Sequence, residues 1–329
     1  MRLLLIRHGE TVDNVAQVYA GTLDSALTNH GVTQALRLGS YLASANVKLS
    51  KIFSSDLQRA FKTAEYIRLA QTNPLPETTK LKLLREQDFG SYEGKAYTER
   101  PRVSDKQGQE ALIDSLQSDP DFKYVEPRES MVLRMNTFID SYLAELTQGM
   151  ADGDTVAVIA HGIILSFLWR GIMQRFETRN ILLAPPVMIA DRGMDLKYLG
   201  SWANTGYMDL EIRKKSISTQ DSGHTSPRLH QSQRDITQYS TLEQRDSEFP
   251  PELAYPAILN GAISLPFQAS TSPMQQPPSS PEERVLIVKA INCRDHLRGL
   301  KKTRGGIGSL QYDEKQSSMD SFVKRRKVG

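Results

Sequence analysis

The chain has 329 residues, and only 39% of them are apolar, thin for a chain packed throughout. From Arg213 onward 18 Lys and Arg stand against 12 Asp and Glu, whereas residues 1–212 carry 23 against 26, so a mildly acidic body bears a basic tail. The single cysteine, Cys293, excludes an internal disulfide and suits a reducing compartment. The amino-terminal apolar run is too short for a secretion signal, and the run from Thr155 to Trp169 falls below the roughly 18 residues of a membrane helix. The expectation is a soluble protein of the cytoplasm, the nucleus or both, with no membrane partner.

In chain order, Arg2 to Ile6 is a continuous apolar run, the pattern of a strand covered on both faces, and it breaks at Arg7-His8-Gly9-Glu10-Thr11. Thr28-Asn29-His30-Gly31 opens a helix with Val32, Ala35, Leu36, Gly39 and Leu42 on one stripe. A short strand is expected at Lys51-Ile52-Phe53. Ser55 or Asp56 then caps a helix through Leu57, Ala60, Ala64 and Ile67, with Arg59 in its first turn. Leu81 to Leu84 reads as a strand leading to Glu86. Residues 95–127 are polar and contain proline, as a lid over a site does. Glu129 starts a helix whose Met131, Met135, Phe138, Tyr142 and Leu146 recur at core spacing.

A second continuous apolar strand, Thr155 to Ala160, breaks at His161-Gly162. Alternating strands and helices give the fold class, α/β: a three-layer sandwich with a mostly parallel central sheet. In such sheets the strand carboxyl ends border the ligand crevice, so His8 and His161 point at one opening. Asn204-Thr205-Gly206-Tyr207 leads into a last strand, closing a catalytic domain over 1–212. Residues 213–283 form a linker rich in Ser, Pro and Gln, which buries too little apolar surface to offset chain entropy and is expected to be disordered. Residues 284–329 form a basic tail. Its opening stretch, Arg284 to Ile291, has strand character that a pure tail would not need, and a return onto the catalytic domain is one use for it.

Four blocks stand in one order: Arg7-His8-Gly9-Glu10-Thr11 with Asn14; Ser54-Ser55-Asp56-Leu57-Gln58-Arg59-Ala60 with Thr63-Ala64; Leu84-Arg85-Glu86 with Gly90-Ser91-Tyr92-Glu93-Gly94; and Ala160-His161-Gly162. Together they resemble the histidine phosphatase superfamily, the group of cofactor-dependent phosphoglycerate mutases, fructose-2,6-bisphosphatase and acid phosphatases. Taken singly, a histidine after a strand is more often a structural hydrogen-bonder, Arg59 a solvated helix arginine and Glu86 a surface carboxylate. The shared order reverses that balance.

Phosphoryl transfer from a monoester needs a nucleophile, neutralisation of the equatorial oxygens and a proton for the leaving oxygen. His8 is the candidate nucleophile, as a neutral imidazole that forms a phosphohistidine. Arg7, Arg59 and His161 are the candidates to hold the phosphoryl oxygens, and Glu86 is the candidate general acid and then base, which asks it to hold a proton when substrate binds. The resemblance implies that Asn14, the backbone at Gly21, and Gly162 line the substrate site, and that Glu10 or Thr11 orients His8. No metal and no cofactor are expected, because His8 and His161 have no neighbouring ligands at metal-site spacing. The mutases carry an Arg-Arg-Ser stretch in the insertion, whereas residues 95–127 hold only isolated Arg100 and Arg102. Hydrolysis of a small phosphorylated metabolite is therefore favoured over mutase-type phosphotransfer. Arg100, Arg102, Lys106 and Lys123 either meet a second anionic group or are solvated.

Near the carboxyl end, Gln316, Met319 and Phe322 resemble in spacing the peptide by which nuclear proteins bind the DNA-polymerase sliding clamp (PCNA), with Val323 in place of the second aromatic. Lys324-Arg325-Arg326-Lys327 resembles a nuclear import signal, and Lys301-Lys302-Thr303-Arg304 is a second basic patch. The plain alternative is a solvated basic end that touches nucleic acid weakly through counterion release. The whole tail, including Cys293-Arg294-Asp295-His296, looks like those of fungal members of the superfamily. A nuclear adaptor tethered to the clamp is thus the second functional hypothesis.

Overall fold

The computed structural model describes residues 1–71, 77–99, 121–149, 154–190, 195–215, 284–303 and 306–313, with four isolated positions between 110 and 119. The strands are β1 (Arg2–Arg7), β2 (Leu49–Ser55), β3 (Thr78–Leu81), β4 (Thr155–Ala160), β5 (Ile181–Leu183), β6 (Tyr207–Lys214) and β7 (Arg284–Cys293). They form one sheet in the order β3-β2-β4-β1-β6-β7-β5. Only β6 runs against the others, pairing antiparallel with β1 on one side and β7 on the other. The helices are α1 (Val12–Ala16), α2 (Asn29–Ser44), α3 (Gln58–Leu69), α4 (Arg128–Phe138), α5 (Ala144–Gly149), α6 (Gly162–Met173) and α7 (Pro185–Ala190), with a π-helical turn, Ile139–Leu143, between α4 and α5.

The mostly parallel α/β sandwich expected from the sequence is present. Alternate residues of β1 and β4 face opposite layers: Leu3, Leu5, Val156 and Val158 pack with Met131, Met135, Phe138, Leu168 and Trp169 of α4 and α6. Leu4, Ile6, Ala157 and Ile159 pack with Leu38, Leu42, Ala60, Ala64 and Ile67 of α2 and α3. Leu3 to Ile6 are fully buried, and each such side chain contributes roughly 1.5–3 kcal/mol relative to exposure. This burial on both faces is why β1 and β4 read as unbroken apolar runs.

Several local expectations are corrected. Leu36 faces solvent and Leu38 takes its place in the core, because the buried stripe of α2 follows Val32, Ala35, Leu38 and Leu42. The residue that caps α3 is Leu57, without a side-chain bond. Asp24 accepts from the Gln58 N–H at 2.7 Å, while Asp56 is held by Arg85. The strand before Glu86 is Thr78–Leu81, and Lys82–Leu84 is a 3₁₀ turn.

β6 is not the last strand of the sheet. β7 pairs along it from Tyr207 with Cys293 to Lys214 with Arg284, and β5 joins the sheet through β7. The chain then runs back along α2: Arg37 donates to the Arg298 carbonyl, Asn29 to those of Ile307 and Leu310, and Tyr312 N–H to the Leu27 carbonyl. Lys302, expected within a second basic patch, pairs with Glu10 at 2.9 Å. Of the linker expected over 213–283, Arg213 and Lys214 belong to β6, while residues 216–283, lid residues Arg100, Arg102 and Lys106, Arg304, and the peptide Gln316, Met319, Phe322 with its basic end lie outside the described residues. No helix among the described residues is long and apolar enough to cross a membrane.

Candidate active site

Parallel pairing in which Arg7 lies opposite Ala160 ends β1 and β4 abreast. The histidine after each strand therefore emerges beside the other, with ring centroids 5.1 Å apart. The turn after His8 is compact. A Cβ on Gly9 would lie 2.5 Å from the Gly31 carbonyl oxygen, so glycine is what lets this turn close against the start of α2.

His8 Nδ1 lies 2.7 Å from the Gly9 carbonyl oxygen. A carbonyl only accepts, so Nδ1 carries the proton and Nε2 keeps its lone pair. At His161 the tautomer is the opposite. Arg59 Nε donates to Nδ1 at 3.1 Å, which puts the His161 proton on Nε2. Both imidazoles are held neutral: burial first, then the cations of Arg59 and Arg7, push them well below the ordinary 6.5, with the Gly9 bond opposing at His8 and the His8 ring adding to the effect at His161.

Arg59 lies in the first turn of α3 and is 2% exposed. Besides His161, its fork donates to the carbonyls of Gly21 and Leu23, both at 2.7 Å. Gly21 thus serves the site by anchoring Arg59 through its carbonyl. Its loop is pinned in turn by Glu93, which accepts from Thr22 N–H at 2.6 Å. Arg7 donates through one terminal nitrogen to the Trp202 carbonyl. Burial lowers both guanidinium groups, with the Glu86 charge opposing, but an arginine stays cationic in any protein environment.

The Glu86 carboxylate sits on the amino terminus of α6, accepting from Ile163 N–H at 3.2 Å and Ile164 N–H at 3.0 Å. Those are amides that a helix start leaves unpaired within the helix. The segment carrying Glu86 is fixed from below by Arg134, which donates to the carbonyls of Leu83 and Arg85 and to the Glu126 carboxylate. Asn14 accepts from Thr11 N–H and from the Asn204 side chain, and Gly162 borders Arg7, its ideal Cβ lying 3.8 Å from Arg7 Nε. The residues expected at the site are thus linked by hydrogen bonds and close approach around His8 and His161. Glu10 and Thr11 are not what orients His8: Glu10 bonds Thr28 and Lys302, and Thr11 caps α1.

Sequence reading missed several participants. Thr63 accepts from Gly9 N–H and donates to the Arg59 carbonyl, tying the histidine turn to α3. Asn204 and Thr205 hold the backbone of Arg7 and His8 from the β6 side. Tyr97, stacked edge-on to Tyr19, hydrogen-bonds Asn14 near Arg7; burial pushes its phenol up, against the pull of both neighbours. The Asn204-Thr205-Gly206 stretch was visible as the lead into a strand, but nothing local marks its contact with residues almost two hundred positions earlier.

Among the described residues, Arg7 Nε and His161 Nε2 are buried donors without a hydrogen-bond partner. Leaving such groups unpaired is costly, and an oxyanion is the kind of guest that accepts from such donors. With two cations against one carboxylate, the pocket favours an anionic guest, and a lone pair waits at His8 Nε2. Fold and site together define an enzyme of phosphoryl transfer. The family model of the histidine phosphatase superfamily (branch 1) matches residues 3–182, and the chain belongs to that superfamily; it is a histidine phosphatase by family.

A probable phosphatase of Schizosaccharomyces pombe is 33% identical over 330 residues, covering 98% of this chain and 79% of that protein. A broad-specificity phosphatase of Saccharomyces cerevisiae is 29% identical over 200 residues, covering 60% of this chain and 82% of that one. Among solved structures, a mycobacterial glucosyl-3-phosphoglycerate phosphatase is similar with a TM-score of 0.46 and 23% identity, over 64% of this chain and 89% of that one.

Proposed function

We propose that this protein is a metal-independent phosphomonoesterase that acts on a small phosphorylated metabolite through a phosphohistidine at His8. The observation that carries the reading is the pairing of a neutral His8, its Nε2 lone pair exposed by the Gly9 bond, with the two unpartnered donors Arg7 Nε and His161 Nε2. His8 Nε2 attacks phosphorus as the bond to the leaving oxygen breaks, and a proton brought in on the phosphate monoanion passes through the Glu86 carboxylate to that oxygen. Arg7, Arg59 and His161 take up the charge on the equatorial oxygens. Water then attacks the phosphohistidine, Glu86 accepts its proton, and inorganic phosphate leaves with His8 restored.

The names of the yeast relatives support hydrolysis over phosphotransfer, as does the absence of an Arg-Arg-Ser stretch in residues 95–127. The test is turnover of an aryl phosphate and a panel of sugar phosphates with EDTA present, alongside His8→Ala. Turnover that survives EDTA and disappears in the variant is expected. Hydrolysis by His8→Ala at the wild-type rate would overturn the assignment of the nucleophile.

A further inference from the structure

Resting on that reading for its activity readout, we propose that Asn292 and His296, from the chain segment beyond the linker, are positioning residues for the Arg7–His8 pocket. The catalytic unit is then completed by 284–303, and a domain ending with β6 lacks part of its own site.

The turn 201–206 is what connects this segment to the chemistry. The Trp202 carbonyl holds the Arg7 guanidinium. The Asn204 side chain donates to the His8 carbonyl at 3.2 Å and to Asn14 at 3.1 Å. Thr205 N–H reaches the carbonyls of Arg7 and His8 at 3.1 and 3.2 Å. The direction of the unpartnered Arg7 Nε and the seat of His8 therefore depend on where this turn lies.

The turn is gripped from its other side by the far segment. Asn292, at a left-handed φ of 45°, folds its amide back over it: Oδ1 accepts from Ala203 N–H and Nδ2 donates to the Ser201 carbonyl, each at 3.0 Å. Both bonds of one planar amide to one turn fix its position and its tilt. A Cβ on Gly206 would lie 2.2 Å from Asn292 Oδ1, so glycine at 206 is what admits the clamp.

His296 makes the second grip. The Thr205 hydroxyl donates to the Asn204 carbonyl at 2.7 Å, so at the 2.9 Å contact it accepts from His296 Nε2. The imidazole is buried beside Tyr41 and Tyr207 and is pushed down to about 4, chiefly by burial, which keeps it neutral, and the Thr205 contact places its one proton on Nε2. Lys302 adds a third tie, to Glu10 in the histidine turn itself. β7 also joins β5 to the sheet, so the segment is built into the domain on both sides.

The experiment uses the full chain. Asn292→Gly keeps the left-handed backbone and removes both clamp bonds, Asn292→Asp keeps the acceptor for Ala203 N–H, and Arg284→Ala disturbs only the opposite end of β7, where it bonds Thr147. Steady-state hydrolysis of an aryl phosphate is measured for each beside wild type, with thermal melting followed by circular dichroism. Asn292→Gly should lose roughly 10–100-fold in kcat/KM, the scale of a small misplacement of reacting groups, while melting cooperatively. Asn292→Asp should recover most of the loss, and Arg284→Ala should match wild type. Should Asn292→Gly fail to fold, Thr205→Val, which severs the His296 grip, reads the same effect. An Asn292→Gly enzyme as active as wild type overturns the proposal. A wild type without turnover on any phosphate overturns the phosphomonoesterase reading instead. The clamp is then read from orthovanadate affinity: weaker in Asn292→Gly supports it, and unchanged removes it.

Discussion

Gly162→Ala separates the pocket's chemistry from its stability. The added methyl carbon would lie 3.8 Å from Arg7 Nε and 4.0 Å from Arg7 Cδ, ordinary van der Waals contact that asks no atom to move. Replacing a glycine by alanine within a helix gains up to about 1 kcal/mol, less at the first position of α6, so melting should be unchanged or slightly raised. The methyl nevertheless stands against the unpartnered guanidinium nitrogen, on ground that a phosphoryl oxygen bonded to Nε would need. Losing one hydrogen bond to a charged group costs about 1.5–3 kcal/mol. At 1.4 kcal/mol per tenfold, that is a fall of roughly 10–150-fold in kcat/KM. The assay is aryl phosphate hydrolysis with thermal melts in the presence and absence of orthovanadate, and the vanadate-induced rise in melting temperature should shrink in parallel. A variant with wild-type turnover and wild-type vanadate protection would refute the assignment of Arg7 Nε as a phosphate donor.

Glu86→Gln keeps an acceptor on the amino terminus of α6 but cannot give up a proton. Its loss should be about 10²–10⁴-fold on alkyl phosphates and much smaller on an aryl phosphate with an acidic leaving group; equal losses on both would dismiss Glu86 as the general acid. His8, His161 and His296 are all held below 6.5 in the folded chain. The unfolded chain thus binds more protons once pH falls below that value, and stability is full above pH 6.5 and declines beneath it. Each group contributes up to about 1.4 kcal/mol per pH unit, and urea midpoints that stay constant from pH 7.5 to 5 would contradict this. Arg134→Met strands the Glu126 carboxylate and the carbonyls of Leu83 and Arg85, in a pair whose side chains are 19% and 12% exposed. Breaking such a pair costs about 3 kcal/mol, a melting drop of roughly 6–12 °C for a domain this size. Turnover should fall with it because the Glu86 segment loses its support, and a melting temperature within error of wild type would argue against that support.

The parts of this molecule that were legible in its sequence are those whose cause is local. β1 and β4 declare themselves because burial on both faces leaves no polar residue from Leu3 to Ile6 or from Val156 to Ala160. The two histidines follow because a parallel sheet delivers strand ends to one edge. Arg59 is a step further: its place near the start of a helix was readable, but not that Asp24 would cap α3 or that the carbonyls of Gly21 and Leu23 would aim the guanidinium. Leu36 and Leu38 illustrate the limit of periodicity, since both fit an apolar stripe and only packing decides which one turns inward.

What could not be read is every relation made through space. Glu86 was recognised as a carboxylate with chemistry to do, yet its seat on the amides of Ile163 and Ile164 joins residues 77 and 78 positions apart. The same holds for the return of β7 beside β6, because strand character in Arg284–Cys293 says nothing of its partner. These distant contacts set the pocket's energetics. A site that leaves two buried donors unpaired and two cations close together is unfavourable on its own, so the structure around it has to offset that cost. Arg134 beneath Glu86, Thr63 beneath Gly9 and the Asn292–His296 grip on the 201–206 turn tie the segments that carry the site to the rest of the fold. A chain that assembles its site this way needs those supports as much as its nucleophile, and substitutions far from the phosphate should reach it along them.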